Sequence, residues 1–192
     1  MRRPSRFRFL YRLPFFGSDR RGVAAVEFAL ILPFLLVLMI GIAETTTGLN
    51  YKRKISQIAS SLADLVAQTE KVNSSEMSDI IKATEAIMEP YSTSGLQVIV
   101  ASIAFDKDGN PQVVWSVDEN KGTPWAKGSV PPIAIPDALK LANTYLVVGF
   151  SSYTYVPTFA SMLQNIFPRA ASIDLEDTYF LRPRLSESVS YN

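Results

Sequence analysis

The 192-residue sequence contains no cysteine and no histidine. Without cysteine there is no disulfide framework and no thiol nucleophile, and the redox state of the compartment leaves no mark on the chain. Without histidine the chain lacks the side chain most used for proton transfer near neutral pH and the commonest metal ligand. Ser/His/Asp catalysis and HExxH zinc chemistry are therefore excluded within it. Neither enzymatic activity nor a cofactor is expected, and no metal site. Net charge is also scarce, at only +1, but that balance conceals an asymmetry. Residues 1–22 hold seven Arg (2, 3, 6, 8, 12, 20 and 21) against the single Asp19, whereas the following 170 residues hold twelve basic and seventeen acidic side chains. A one-signed terminal block points to nucleic acid or to anionic lipid, and an adjoining apolar run decides for lipid.

That run is adjacent. Val23 to Ala43 reads VAAVEFALILPFLLVLMIGIA, with a single ionisable group in it. At about 1.5 Å per residue it spans roughly the 30 Å hydrocarbon core. Seven Arg precede it and only Lys52, Arg53 and Lys54 follow closely, so the positive-inside bias places the N-terminus in the cytoplasm and everything beyond Ala43 across the membrane. A rival reading is a cleaved secretory signal, since Gly41 and Ala43 offer small residues after an apolar stretch. The helical pattern running straight on past Ala43 counts against it. Tyr51, Ile55, Ile58, Leu62, Leu65, Thr69 and Val72 recur in steps of four and three, one stripe along a helix that continues the membrane segment to residue 72. The two parts together predict one helix of about 45 residues and some 70 Å. Pro33 removes one hydrogen bond within its apolar half.

Beyond it, Asn73-Ser-Ser-Glu76 is a capping-box pattern, and Met77, Ile80, Ile81, Thr84, Ile87 and Met88 follow at helical spacing up to Pro90. Residues 96–105 and 112–117 are rich in β-branched and aromatic side chains and flank Asp106-Lys-Asp-Gly-Asn-Pro111, which predicts a hairpin. A calcium loop would need an acid where Ala104 stands and a Glu where Trp115 stands, so the segment reads as a turn. Four prolines mark 118–144 as surface loop with one helical turn near 136–143. Tyr145 to Tyr155 reads as a central strand, Phe159, Met162, Leu163, Ile166 and Phe167 as a short helix covering the sheet, and 173–181 as a last strand before Arg182-Pro-Arg184. Asp174, Glu176 and Asp177 read as a solvated edge. The class is α+β: a long N-terminal helix packed on a small antiparallel sheet with covering helices.

The residues that speak to function are Arg20-Arg21-Gly22-Val23-Ala24-Ala25-Val26-Glu27-Phe28. A carboxylate in an apolar helix is disfavoured by up to about 2.5–3.5 kcal/mol at the bilayer centre and by less near its edge. One reading lets Glu27 reach back toward the headgroups or toward Arg20 and Arg21. Another has cleavage after Gly22 create an ammonium on Val23, to which the Glu27 of a neighbouring subunit pairs in low dielectric.

This segment resembles the type IV pilin-like signal: basic leader, Gly before the cut, Glu at the fifth position after it, an aromatic and a continuous apolar helix. The stretch GVAAVEFALILPFLLVLMIG is similar in particular to the TadE/TadG-like family of tight-adherence (Flp) pilus assembly proteins, over roughly residues 20–65. The resemblance implies a pilin-like fold and a minor pilin or pseudopilin, processed by a prepilin peptidase at Gly22/Val23, with Glu27 and Phe28 in the recognised motif and Arg20 and Arg21 setting topology. It further implies as partners the inner membrane, other pilins or pseudopilins and the pilus assembly machinery, with no nucleic acid. The soluble domain is larger than in the short major Flp pilins, and the additional metal-binding adhesion domain of larger TadG-type members, with its DxSxS motif, is missing. The expected organisation is a cytoplasmic leader (1–22), a transmembrane helix (23–43), its amphipathic continuation (44–72) and an extracytoplasmic domain (73–192). A membrane-anchored periplasmic binding protein or enzyme unrelated to pili is the alternative.

Overall fold

The computed structural model describes residues 22–159 and 172–192. The leader arginines, including Arg20 and Arg21, and the expected covering helix with Met162, Leu163, Ile166 and Phe167 lie outside the described residues. The chain divides into two compact units between Ala43 and Glu44, and helix α1 (Val23–Ala67) contributes to both.

In the first unit α1 is apolar and its side chains are exposed, with Pro33 inside it. It is long and apolar enough to cross a membrane, and none of its most apolar stretch is buried. In a soluble fold such a surface would not persist, because each large apolar side chain left in water forgoes about 1.5–3 kcal/mol. A lipid environment removes that cost.

The second unit is α+β, as expected. Strand β2 (Leu96–Phe105) pairs antiparallel with β3 (Pro111–Asp118) on one side and β4 (Tyr145–Tyr155) on the other, and β5 (Ile173–Leu181) adds to the far edge of β4. The sheet order is β3-β2-β4-β5. One face receives α1, whose Ile55, Ile58, Leu62 and Val66 meet Val98 and Val100 of β2 and Val147 of β4. Helix α2 (Ser74–Glu85) closes that core with Met77 and Ile81. The other face is covered by the loop after β3, which lays Trp125 and Ile135 over Ile103, Phe105, Val113 and Val148. Ser116 Oγ both donates to Trp125 O (2.9 Å) and accepts from Trp125 N (3.0 Å), fastening that loop to β3.

The backbone of α1 lies almost directly on β4. A Cβ added to Gly149 would fall 2.2 Å from Ala59 O and 3.0 Å from Ala63 N. One turn earlier, buried Ser151 Oγ donates to Ile55 O at 2.7 Å. Glycine is needed here for close approach, since any side chain would meet helix backbone.

Two expectations about α1 are corrected. The helix ends at Ala67 and does not reach residue 72. Thr69 turns back to bond Val66 O through both its N–H (3.1 Å) and its hydroxyl (2.8 Å), and the Arg184 N–H donates to Ala67 O at 2.9 Å. These bonds satisfy terminal carbonyls and end the helix. Leu65, placed in the stripe, is exposed, and Val66 takes the core position. Lys71–Val72 forms instead a short strand, β1, parallel to β6 (Ser190–Tyr191). The capping box of α2 is present: Asn73 Oδ1 accepts from the N–H groups of Ser75 and Glu76 (both 2.9 Å), and Glu76 Oε2 accepts from Asn73 N at 3.0 Å. A 3-10 turn (Ala86–Met88) extends it, and another, Asp137–Leu139, is the helical turn expected in the long loop.

Candidate functional site

At the start of α1 the positions singled out in the sequence fall in a row. Gly22 precedes the first helical residue, Val23, and a Cβ added to Gly22 would meet nothing within 4 Å. Val23, Glu27 and Phe28 are all exposed. Positions 23 and 27 are four apart, hence on one helix face. Among the described residues Glu27 takes part in no ion pair and no side-chain hydrogen bond. The arrangement is one exposed carboxylate on an apolar helical stretch.

A second cluster sits where α1 enters the second unit. Glu44, the first ionisable residue after Glu27, accepts from the Tyr155 hydroxyl through Oε2 (2.7 Å) and from Phe159 N through Oε1 (2.8 Å). Tyr51, two turns on, is the centre of an aromatic group, its ring 4.2 Å from Tyr91, 4.8 Å from Tyr155 and 5.2 Å from Tyr153. Burial, then the Glu44 carboxylate to which it donates, pushes the Tyr155 phenol well above its ordinary value. Burial and neighbouring Tyr153 also raise the Tyr51 phenol. Neither phenol is thereby suited to proton transfer near neutral pH, and the cluster is built to hold elements together. Lys52 Nζ bridges to β5 through Glu176 O and Asp177 Oδ2 (3.2 Å), while Lys54 Nζ donates to Ile87 O and Glu89 O (2.7 Å each) and sits over the Tyr91 ring.

Several other charged groups also have structural tasks. Asp106 accepts from the N–H groups of Asp108 and Asn110 and from Asn110 Nδ2, which holds its carboxyl below the usual range and closes the β2–β3 turn. Of the acidic edge, Asp177 pairs with Lys52 and Asp174 accepts from Thr154 Oγ1 (2.9 Å). Among the described residues no group of three His, Cys, Asp or Glu could hold a metal. A hollow of about 350 Å³ between the long loop and the sheet is lined by Trp125, Ile133, Phe150, Glu176 and Thr178.

Glu44 and Tyr155 were not selected from sequence as a pair. Stepping the α1 stripe back from Ile55 through Tyr51 reaches Gly48 and Glu44 in the same four-three rhythm, which marks Glu44 as facing the domain. Its partner on β4 is 111 residues away, and no local pattern encodes it.

Comparison with curated proteins and with solved structures gives no match. A family model does match, and it begins at Gly22: residues 22–63, from the start of the exposed apolar helix into the part packed on the sheet, are similar to the family described as TadE-like protein.

Proposed function

We propose that this chain is a minor pilin or pseudopilin that helps assemble or anchor a tight-adherence pilus. The TadE-like match associates the chain with pilus assembly and with a single-pass membrane anchor. The finer role rests on one observation: Glu27 is a lone carboxylate, without a partner among the described residues, on a helical stretch exposed all round from Val23 to Met39. Burying an uncompensated charge in lipid is costly, so a helix that carries one is built to meet a cation there. Prepilin peptidase cutting after Gly22 would supply that cation as the Val23 ammonium of a neighbouring helix. Glu27 and the new amine then set the stagger between subunits, while Phe28 and the apolar side chains around it pack laterally. The leader arginines, Arg20 and Arg21 nearest the bilayer, keep the N-terminus cytoplasmic until cleavage. The second unit is then periplasmic, and its part is to present a surface to other pilins or to the assembly machinery, without catalysis.

Mass measurement on the mature protein from fibre-producing cells tests this. A new N-terminus at Val23 is the expected result. An intact Met1 would leave an ordinary anchor, and a terminus at Glu44 a secreted domain. Glu27→Val should leave the protein in the membrane and lower fibre assembly by at least an order of magnitude; normal fibres from that variant would remove the proposed pairing.

A further inference from the structure

Four large apolar side chains of the second unit gather at the end where α1 enters it. Leu49 is 56% exposed, Val156 48%, Phe159 41% and Ile173 50%. Leu49 and Ile173 share a groove of about 370 Å³ with Tyr155, Pro157 and Leu175. Leu65, Val130, Leu141, Tyr179 and Leu185 of the second unit are exposed as well; single exposed apolar residues need no explanation, but several that meet at the end nearest the apolar half of α1 do.

We infer that this end of the domain rests on the bilayer surface, with Leu49, Val156, Phe159 and Ile173 sunk to the depth of the lipid headgroups. The inference rests on α1 inserting in the membrane through Val23–Ala43 and is independent of any role in a pilus. Chain connectivity supplies the first argument. Leu49 lies six helical residues after Ala43, about 9 Å along the axis, and the headgroup layer adds roughly 5–8 Å to each side of the hydrocarbon core. The hydrogen bonds from Tyr155 and Phe159 to Glu44 bring the end of β4 to the level of the first residue after the span. Strand pairing of Tyr155 with Ile173 carries the start of β5 to that level too.

Composition supplies the second argument. Immediately behind the apolar rim stand Tyr51, Tyr91, Tyr153 and Tyr155, the residue type enriched at membrane–water boundaries. Arg53 follows Leu49 by four residues on the same face of α1, is exposed, and projects its side chain toward the helix N-terminus, hence toward the lipid phosphates. An apolar lower rim with a cation one turn above it is the order of groups met on leaving a bilayer.

The absence of cysteine permits a direct test on the full chain, reconstituted at high dilution in vesicles of phosphatidylethanolamine and phosphatidylglycerol. Spin labels are placed one at a time at Val156→Cys, Ile173→Cys, Leu35→Cys and Lys107→Cys, the last in the turn at the opposite end of the strands. Accessibility to oxygen, which concentrates in lipid, is compared with accessibility to a water-soluble nickel chelate. The oxygen-to-nickel ratio at 156 and 173 should exceed that at 107 by several-fold and approach that at 35. Water-like ratios at 156 and 173 with a lipid-like ratio at 35 would overturn the inference and leave the anchor standing. A water-like ratio at 35 as well would overturn both. Labels at 156 and 173 shielded from both reagents, and released when the protein is diluted further, would show a protein partner in place of lipid and equally overturn it.

Discussion

A single phenol shows how far one side chain can bind a helix to a sheet. Tyr155 closes the end of β4 onto α1 by donating to Glu44, in a setting where burial and that carboxylate together raise its pKa. Because the native value is raised above the unfolded one, the stabilisation is complete below the ordinary tyrosine pKa near 10 and is lost as pH rises through the native value. Denaturant titration of the full chain in detergent between about pH 8 and about pH 11 should therefore show stability falling at the alkaline end. Tyr155→Phe should cost about 1–2 kcal/mol at neutral pH and flatten the alkaline decline. A variant that declines as steeply as the parent would locate the effect elsewhere. At this scale Glu27 stands out in the sequence, because one charge in an apolar run is conspicuous by itself, and the structure finds it exposed on the helix. The sequence was silent on the tie between Glu44 and Tyr155, because a hydrogen bond spanning 111 residues depends on the sheet that brings its ends together.

Among elements, the decisive packing is that of α1 on β4. Glycine at 149 lets helix backbone approach strand backbone, and the atoms that a larger residue would strike, Ala59 O and Ala63 N, belong to hydrogen-bonded helix and cannot step aside as a flexible side chain could. Gly149→Ala should accordingly destabilise the domain by about 3 kcal/mol or more, read as a lowered denaturant midpoint. Gly48→Ala, where the added carbon would meet Tyr155 Cε1 at 3.6 Å, makes an ordinary contact and should be tolerated. Helix α2, the β2–β3 hairpin, β4 and β5 were all legible in sequence, since caps, alternation and proline boundaries are local signals. The end of α1 was not. The apolar or small residues Thr69 and Val72 continue its rhythm, yet Thr69 turns back onto Val66 and Val72 pairs with Tyr191 at the other end of the chain. The β1–β6 pair has two residues on each side, too few to leave a periodicity.

For the molecule as a whole, the last residues close the second unit. Arg184 pairs with Asp64 and its N–H with Ala67 O, Trp115 Nε1 donates to Val189 O (2.8 Å), and Val189 is buried. Val189→Ser should cost about 2 kcal/mol, by loss of a buried apolar side chain and burial of a hydroxyl. Val130→Ser, at a position 73% exposed, should change stability by less than about 0.5 kcal/mol. Comparing their thermal midpoints separates a closing segment from a surface tail. The contact of helix with strand at Gly149 and Ser151 also has a mechanical meaning. Any pull delivered along α1 within the second unit would reach the central strand β4 in shear, distributed over the interlocked turns from Ile55 to Ala63. A protein tethered by this helix would thus yield under load only when many contacts fail together.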